Sequence, residues 1–167
     1  IRGNGNGDNL GNSVSSAGDF NGDGKGDVIV GERNGQNVSN IRTGRAYIFF
    51  GGVTGTKTAD TDADLILNGQ SANDEFGNTV ASAGDFNGDG KDDVIVSAPG
   101  DDNNSLSDSG SSFIFYGGIT GDKTADADAD VILNGQSADD KFGDLPFNTG
   151  VYGRALGAGD FNGDGTS

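Results

Sequence analysis

The sequence predicts an all-β fold, and three observations lead to that class. The chain of 167 residues contains 32 glycines, it repeats itself every 66 residues, and each repeat holds four short apolar runs bounded by turn residues. Such runs, bounded by Gly, Asp and Asn, are typical of strands, and no segment shows the sustained 3.6-residue periodicity of a helix. The acid residues are almost all Asp, which disfavours helices by bonding to its own backbone.

The repeat is evident from three segments that recur at one offset. The recurring pairs are 19–25 with 85–91, 51–55 with 117–121, and 65–71 with 131–137. Aligning residues 1–66 with 67–132 gives 36 identities in 66 positions. We therefore predict a first repeat at 1–66, a second at 67–132 and a partial third at 133–167, which holds nine extra residues.

Each repeat contains four predicted strands. A looser run at 76–83 comes first, followed by β-branched runs, aromatic runs closed by Gly-Gly, and aliphatic runs. The last three kinds of run lie at 28–30 and 94–96, at 46–50 and 112–116, and at 65–67 and 131–133. Four strands in 66 residues are the content of one propeller blade. We predict about two and a half propeller-type blades, not closed by this chain alone. A β-solenoid is the alternative, although its repeats are usually shorter.

The charge and composition exclude several functions. The chain carries 26 Asp and Glu against 10 Lys and Arg, a net charge of −16, which disfavours nucleic acid and anionic membranes as partners. No apolar run approaches the roughly 20 residues of a membrane span. The chain has no His and no Cys, which excludes Ser-His-Asp triads, Cys nucleophiles and zinc sites built on those residues. No unrepeated acid or Ser cluster is evident, and we expect no enzymatic activity.

An acidic loop with the spacing D-x-N-x-D-G-x-x-D recurs in both full repeats. Oxygen side chains at alternate positions suit Ca²⁺, which takes about 6–8 oxygen ligands. Gly at position six allows a sharp turn, and position seven offers a backbone carbonyl. A turn without an ion is the alternative, but three carboxylates within nine residues repel one another and need a counter-charge. The predicted ligands are Asp19, Asn21, Asp23, Lys25 and Asp27 in the first loop, and Asp85, Asn87, Asp89, Lys91 and Asp93 in the second.

A third, shorter copy of the loop supplies Asp160, Asn162 and Asp164. The sequence ends at Ser167, the eighth position, so this copy lacks the ninth-position acid. A calcium site and a turn without an ion are both open for it.

These motifs resemble those of the FG-GAP repeat family, which includes the propellers of integrin α-subunits and repeats of many bacterial surface proteins. Phe76-Gly77 matches the FG dipeptide and Ser97-Ala98-Pro99 loosely matches GAP, whereas the first repeat has Leu10-Gly11 and Gly31-Glu32-Arg33. The resemblance implies four-stranded blades with Ca²⁺ in an inter-strand loop. It also implies an extracellular or cell-surface location, and a structural or adhesive role more than catalysis.

A propeller of this family closes with about seven blades, within the general range of 4–8. The chain is then either a fragment of a larger propeller adhesin that binds a protein or glycan ligand, or a subunit that pairs its open edges with copies of itself. Head-to-tail contacts of that second kind build a ring or a filament. The inserted segment 145–154 contains Phe, Tyr and Arg, which favours an interface, and a longer surface loop is the alternative.

Two further patterns recur. Asn37 and Asn103 lie in N-glycosylation sequons at equivalent positions of the two repeats, which predicts glycosylation in a secretory host. Acid residues also alternate before the last strand of each repeat. As a strand this run would place its acids on one face and hold a second ion, whereas a solvated connector is the simpler interpretation. Its members are Asp60, Asp62, Asp64, Asp126, Asp128 and Asp130.

Overall fold

The computed structural model describes residues 1–3, 7–36, 41–103 and 105–144. These residues confirm the all-β class, and no helix among them is long and apolar enough to cross a membrane. The elements are β1 (Leu10–Gly18), β2 (Asp27–Glu32), β3 (Arg45–Phe49), α1 (Ala59–Asp62), β4 (Leu65–Asn68), β5 (Val80–Gly84), β6 (Asp93–Ala98), β7 (Ser111–Phe115), β8 (Lys123–Thr124), α2 (Ala125–Asp128) and β9 (Val131–Asn134).

The strands form two sheets that correspond to two blades. Strands β1, β2, β3 and β4 make an antiparallel meander, the first blade, and β5, β6, β7 and β9 make the same meander in the second blade. Neighbouring strands joined by short loops produce this order, so the solenoid alternative is wrong. The looser run is a strand only from Val80, because Phe76 and Gly77 turn into the joint between the blades, where Gly77 has a φ of 82°.

The strand order shows where a blade ends relative to the 66-residue period of the sequence. Strand β4 closes the first blade and spans the 66/67 position at which the sequence period was divided. Strand β8 adds to the outer edge of β4 in parallel, with Asn68 opposite Thr124. Arg2 forms the same parallel bridge with Thr58 one period earlier. The segment that leads into each helical turn therefore binds the outer strand of the preceding repeat.

One apolar core joins the two blades. It includes Ile29 and Ile48 from the first blade and Val94 and Phe115 from the second, all nearly or fully buried. Phe76 is fully buried between the blades, with its ring 5.7 Å from that of Phe113 and 6.3 Å from that of Phe115. Burial of aromatic and β-branched side chains on facing sheets thus stabilises the pair of blades as one unit.

The first two acids of each run lie in the helical turns α1 and α2, and Asp64 and Asp130 follow these turns. The strand hypothesis for a second ion is therefore wrong, and the connector interpretation holds. The second and third acids of each run bond to backbone N–H groups. Asp62 Oδ2 accepts from the Thr58 N–H at 2.7 Å, and Asp64 Oδ2 accepts from the Phe50 N–H at 2.8 Å. The second repeat makes the same two bonds with Asp128 and Asp130. These carboxylates stabilise turns, since a side-chain acceptor satisfies a free N–H at a helix start.

Candidate metal centre

Both predicted loops lie between two neighbouring strands of one blade. The first joins β1 to β2, the second joins β5 to β6, and in each the ninth-position acid begins the following strand. Gly24 and Gly90, at position six, have φ values of 84° and 89°, a backbone conformation that favours glycine. The sharp turn predicted at this position is confirmed in both loops.

In the first loop the side-chain oxygens of the predicted ligands turn onto the backbone of the loop. The Asp23 N–H donates to Asp19 Oδ1 at 2.9 Å and to Asn21 Oδ1 at 2.8 Å, and the Gly24 N–H donates to Asp19 Oδ2 at 2.9 Å. Asp27 is 2% exposed, and its Oδ2 accepts from the Asn21 N–H at 3.2 Å. Oxygens from positions one, three and nine therefore surround one tight turn.

The second loop repeats this arrangement. The Asp89 N–H donates to Asp85 Oδ1 and to Asn87 Oδ1, both at 2.9 Å, and the Gly90 N–H donates to Asp85 Oδ2 at 2.8 Å. Asp93 is fully buried, and its Oδ2 accepts from the Asn87 N–H at 3.3 Å. Two segments 66 residues apart thus adopt the same hydrogen-bonded loop.

The ninth-position acid also ties each loop to the turn after the third strand. Asp27 Oδ1 accepts from the Gly51 N–H at 2.7 Å, and Asp93 Oδ1 accepts from the Gly117 N–H at 2.8 Å. A Cβ at Gly51 would lie 2.5 Å from the carbonyl oxygen of Gly26, so this close approach requires glycine. This contact explains the first glycine of the Gly-Gly pair that follows each aromatic strand.

Charge is balanced differently at the fifth position of the two loops. Lys25 Nζ lies 3.0 Å from Asp23 Oδ2, and this hydrogen bond lowers the pKa of Asp23. In the second loop Asn87 Nδ2 donates to Asp89 Oδ2 at 3.1 Å and lowers the pKa of Asp89. Burial raises the pKa of Asp93. Because a cation ligand must be deprotonated, binding at the ninth position would compete with protonation.

The donor set fits a hard cation such as Ca²⁺, since each loop offers carboxylate and amide oxygens at positions one, three, five and nine. Within the described ranges, however, no three acidic side chains converge closely enough to form a metal-binding group. Because like charges repel, these carboxylates do not converge on one point but bind backbone N–H groups or neighbouring polar side chains. A cation would supply the counter-charge that convergence requires.

The repeated blades, the paired loops and the buried Phe76-Gly77 joint agree with a comparison against known families. A profile described as FG-GAP repeat matches residues 10–49 and 76–115. The chain belongs to the FG-GAP repeat family. The matched ranges cover β1 to β3 in the first blade and run from Phe76 to the end of β7 in the second. The first FG-GAP repeat therefore begins at Leu10, although Leu replaces the usual Phe.

Similar curated proteins share these FG-GAP repeats. Phosphatidylinositol-glycan-specific phospholipase D of Rattus norvegicus is 34% identical over 112 residues, which are 65% of this chain and 13% of that protein. The proteins of the same description from Bos taurus and Homo sapiens are 35% and 34% identical over 116 residues, which are 67% of this chain and 14% of each relative. The chain thus spans only 13–14% of the length of these relatives.

The first FG-GAP repeat differs from the second at three positions that meet in space. The first repeat has the smaller apolar residue Leu10 where the second has Phe76. It also has the acid Glu32 in place of Ala98, and Tyr47, which adds a hydroxyl group, in place of Phe113. A comparison of the two repeats position by position signals this change, whereas a search for repeated motifs passes over it.

The buried residues Glu32 and Tyr47 form a cluster with the half-buried Arg45 and the exposed Asp60, which we term the first-blade polar network. The Tyr47 hydroxyl oxygen lies 2.7 Å from Glu32 Oε2 and 2.6 Å from Asp60 Oδ1. Arg45 Nη1 lies 3.1 Å from Asp60 Oδ1. Glu32 is 4% exposed, and burial raises its pKa to about 7. The expectation that no unrepeated acid cluster exists is therefore wrong, although these groups bond to one another.

Asn103, the described sequon residue, has a structural role. Its Nδ2 donates to Ser109 Oγ at 2.6 Å and to the Gly110 carbonyl at 3.1 Å. Glycosylation at this nitrogen stays a prediction. Asn37, the third-loop residues Asp160, Asn162 and Asp164, and the inserted segment 145–154 lie outside the described residues.

Proposed function

We propose that the chain is an extracellular, non-enzymatic calcium-binding protein with a structural role, in which Ca²⁺ orders the inter-strand loop of each FG-GAP blade. The observation that supports this most is the pair of equivalent loops, each bonded to two strands and to the turn after the third. Two bound ions would change the net charge from −16 to −12, since each ion adds two. The ion would therefore offset the repulsion that this Asp-rich composition creates.

The roles of the ligands follow from their chemistry. The acids at positions one, five and nine supply negative charge, and the Asn at position three supplies a neutral oxygen. Lys25 and Lys91 would each contribute a backbone carbonyl, while the ammonium group of Lys25 leaves Asp23 when the ion binds. Asp160, Asn162 and Asp164 offer the same first three ligands in the third copy.

Calcium titration of the metal-free chain tests the proposal. We expect heat of binding by calorimetry and a rise in the melting temperature with added Ca²⁺, because a ligand held at 100 times its Kd stabilises a folded protein by about 2.7 kcal/mol per site. Replacing Asp19 and Asp85 together by Asn should remove most of this rise. Asp122, an exposed acid outside both loops, provides the matched control as Asp122→Asn. Unchanged melting in Ca²⁺ would contradict the proposal.

The exposure of the two outer faces supports head-to-tail stacking of blades. On the outer face of the first blade, which we term the leading face, Val14 and Val28 are 60% and 38% exposed, yet their equivalents Val80 and Val94 are 4% and 0% exposed between the blades. The side of a blade that is buried at the joint, on the second blade, is therefore exposed to solvent on the first blade.

The outer face of the second blade, which we term the trailing face, is open in the complementary way. Leu133 is 40% exposed, whereas its equivalent Leu67 is fully buried against the second blade. Ile95 is likewise more exposed than its buried equivalent Ile29. The leading and trailing faces thus present the two halves of the internal interface, which suits a further blade from a longer array or from a copy of this chain.

The rival candidate is a fragment of a larger propeller adhesin that binds a protein or glycan ligand. It differs in what covers the open faces: further blades of its own chain instead of a second copy. The phospholipase D description belongs to relatives of which this chain spans 13–14%, and the groups of the first-blade polar network are engaged with one another. A structural role is therefore the better supported of these functions.

A further inference from the structure

The two candidate metal loops touch each other across the joint between the blades. The Asp19 N–H donates to Asp92 Oδ2 at 2.6 Å, and the Asp92 N–H donates to the Asp19 carbonyl at 3.3 Å. Beside this pair, the Gly118 N–H donates to the Phe20 carbonyl at 2.6 Å, and the Phe20 side chain is fully buried. The start of the first loop is thus held by the second blade, not only by its own.

Asp92 is specific to the second repeat. Its equivalent in the first repeat is Gly26, which has no side chain to make such a contact. Gly18, just before the first loop, packs so closely on Asp92 that a Cβ there would lie 2.2 Å from Asp92 Oδ2. The carboxylate of Asp92 therefore packs against Gly18 at the start of the first loop, where a larger residue would clash with it.

We propose that Asp92 is a positioning residue through which the second loop raises the calcium affinity of the first. This inference rests on the proposed calcium binding. Asp92 lies between Lys91 and Asp93, the seventh and ninth positions of the second loop, and it bonds to the backbone of Asp19, the first position of the first loop. An ion in the second loop orders its flanking ligands and so holds Asp92 still, which in turn directs the Asp19 carboxylate toward its own ion.

The coupling is reciprocal. Whatever free energy the second ion contributes to binding of the first, the first contributes equally to binding of the second. Asp92 makes no predicted bond to either ion, so its effect on the first loop passes through the Asp19 N–H. An Asn side chain retains an acceptor oxygen for this N–H, whereas an Ala side chain does not.

The amide signals of Gly24 and Gly90 in ¹⁵N NMR spectra can follow the two loops separately, since each N–H bonds to the first acid of its own loop. In a calcium titration of the full chain we expect Asp92→Ala to move the Gly24 midpoint to about fivefold higher Ca²⁺, the lower end of typical couplings. Because the coupling is reciprocal, the Gly90 midpoint should also move toward higher Ca²⁺. Asp92→Asn should restore most of the Gly24 affinity, and far-ultraviolet circular dichroism checks that each variant folds.

A second variant separates coupling from simple damage to the first loop. Replacing Asp85 and Asp89 by Asn blocks the second loop, and we expect it to weaken the Gly24 response in the wild-type background but to add little when Asp92 is already Ala. A Gly24 midpoint that is unchanged by Asp92→Ala, or by blocking the second loop, overturns the coupling while calcium binding stands. If neither Gly24 nor Gly90 responds to Ca²⁺, the proposed function itself fails.

Discussion

At the scale of single residues, the Tyr47 hydroxyl lies near more acceptors than it has protons to donate. It lies within hydrogen-bond distance of two carboxylates, Glu32 and Asp60, yet it has one proton to donate. Arg45 Nη1 lies 3.1 Å from Asp60 Oδ1, so Asp60 has a cationic partner. Glu32 is buried, and burial raises its pKa to about 7. A proton on Glu32 therefore satisfies the network, with Glu32 donating to Tyr47 and Tyr47 donating to Asp60.

This proton makes stability depend on pH. The folded chain keeps the Glu32 proton up to pH about 7, whereas an unfolded Glu loses it near pH 4.5. Unfolding therefore releases a proton between these values, and stability falls as pH rises through them. The loss is on the order of 2 to 3 kcal/mol, because each tenfold difference in proton affinity between the folded and unfolded chain contributes about 1.4 kcal/mol. Urea unfolding in chelator at pH 5 and pH 7.5 measures it, and Glu32→Gln should reduce the difference.

The only other glutamate is the control for that prediction. Glu75 has a partly exposed side chain that lies 4.0 Å from Arg33, and Glu75→Gln should leave the pH dependence intact. Asp74, whose pKa burial raises to about 7, contributes in the same direction and explains any slope that survives in Glu32→Gln. A full slope in Glu32→Gln would show that the proton resides elsewhere.

Removing the Tyr47 hydroxyl alone should destabilise the chain more than replacing Tyr47 and Glu32 together. Tyr47→Phe leaves the Glu32 carboxyl without its acceptor and Asp60 without its donor, and the unsatisfied buried Glu32 costs about 1–3 kcal/mol. Adding Glu32→Ala recreates the Ala98 and Phe113 pair of the second repeat and should recover much of the loss. Thermal melts of the two single variants and the double variant form the required cycle, and additive losses would contradict the interpretation.

At the scale of elements, the sequence predicted most of what repeats. Apolar runs identified β2, β3, β4 and their equivalents because their side chains fill the core, and ligand spacing identified both loops. The pattern could not show that Phe76 turns away from its strand, since the burial it gains comes from the neighbouring blade. Nor could it show that Asp62 and Asp64 bond to backbone N–H groups, since helical turns of four residues leave no periodic signal. These features depend on partners distant along the chain.

The loop backbone itself offers a matched comparison. Gly24 has a φ of 84°, Gly26 lies two residues later outside the left-handed region, and an added Cβ meets no atom within 4 Å at either position. Gly24→Ala should therefore destabilise the chain by about 1–2 kcal/mol, the cost of placing an L-residue in left-handed backbone. Gly26→Ala should be neutral or slightly stabilising, because it restricts the unfolded chain. Denaturant midpoints check both, and equal effects would argue against a strained turn.

At the scale of the whole molecule, the period of 66 predicted the number of blades, but the sequence alone did not show which side chains their faces leave open. That follows from the register, which places Val28 on the leading face and Leu133 on the trailing face. Both are exposed, although each has an equivalent that is fully buried between the blades. The burial of these equivalents stabilises the joint by roughly 1.5–3 kcal/mol for each side chain. Stacking on a further blade would bury Val28 and Leu133 as well.

If copies of the chain stack head to tail, Val28→Asp and Leu133→Asp should each abolish assembly, because either change places a charge in an apolar interface. Each variant keeps one intact face, so an equimolar mixture should form dimers and nothing larger, as a heterologous contact requires. Val53, exposed in a turn between the strands, provides the control as Val53→Asp. Analytical ultracentrifugation over a range of concentrations distinguishes these states. A wild-type chain that sediments as a monomer throughout would favour the propeller-fragment alternative, in which blades of the same chain cover both faces.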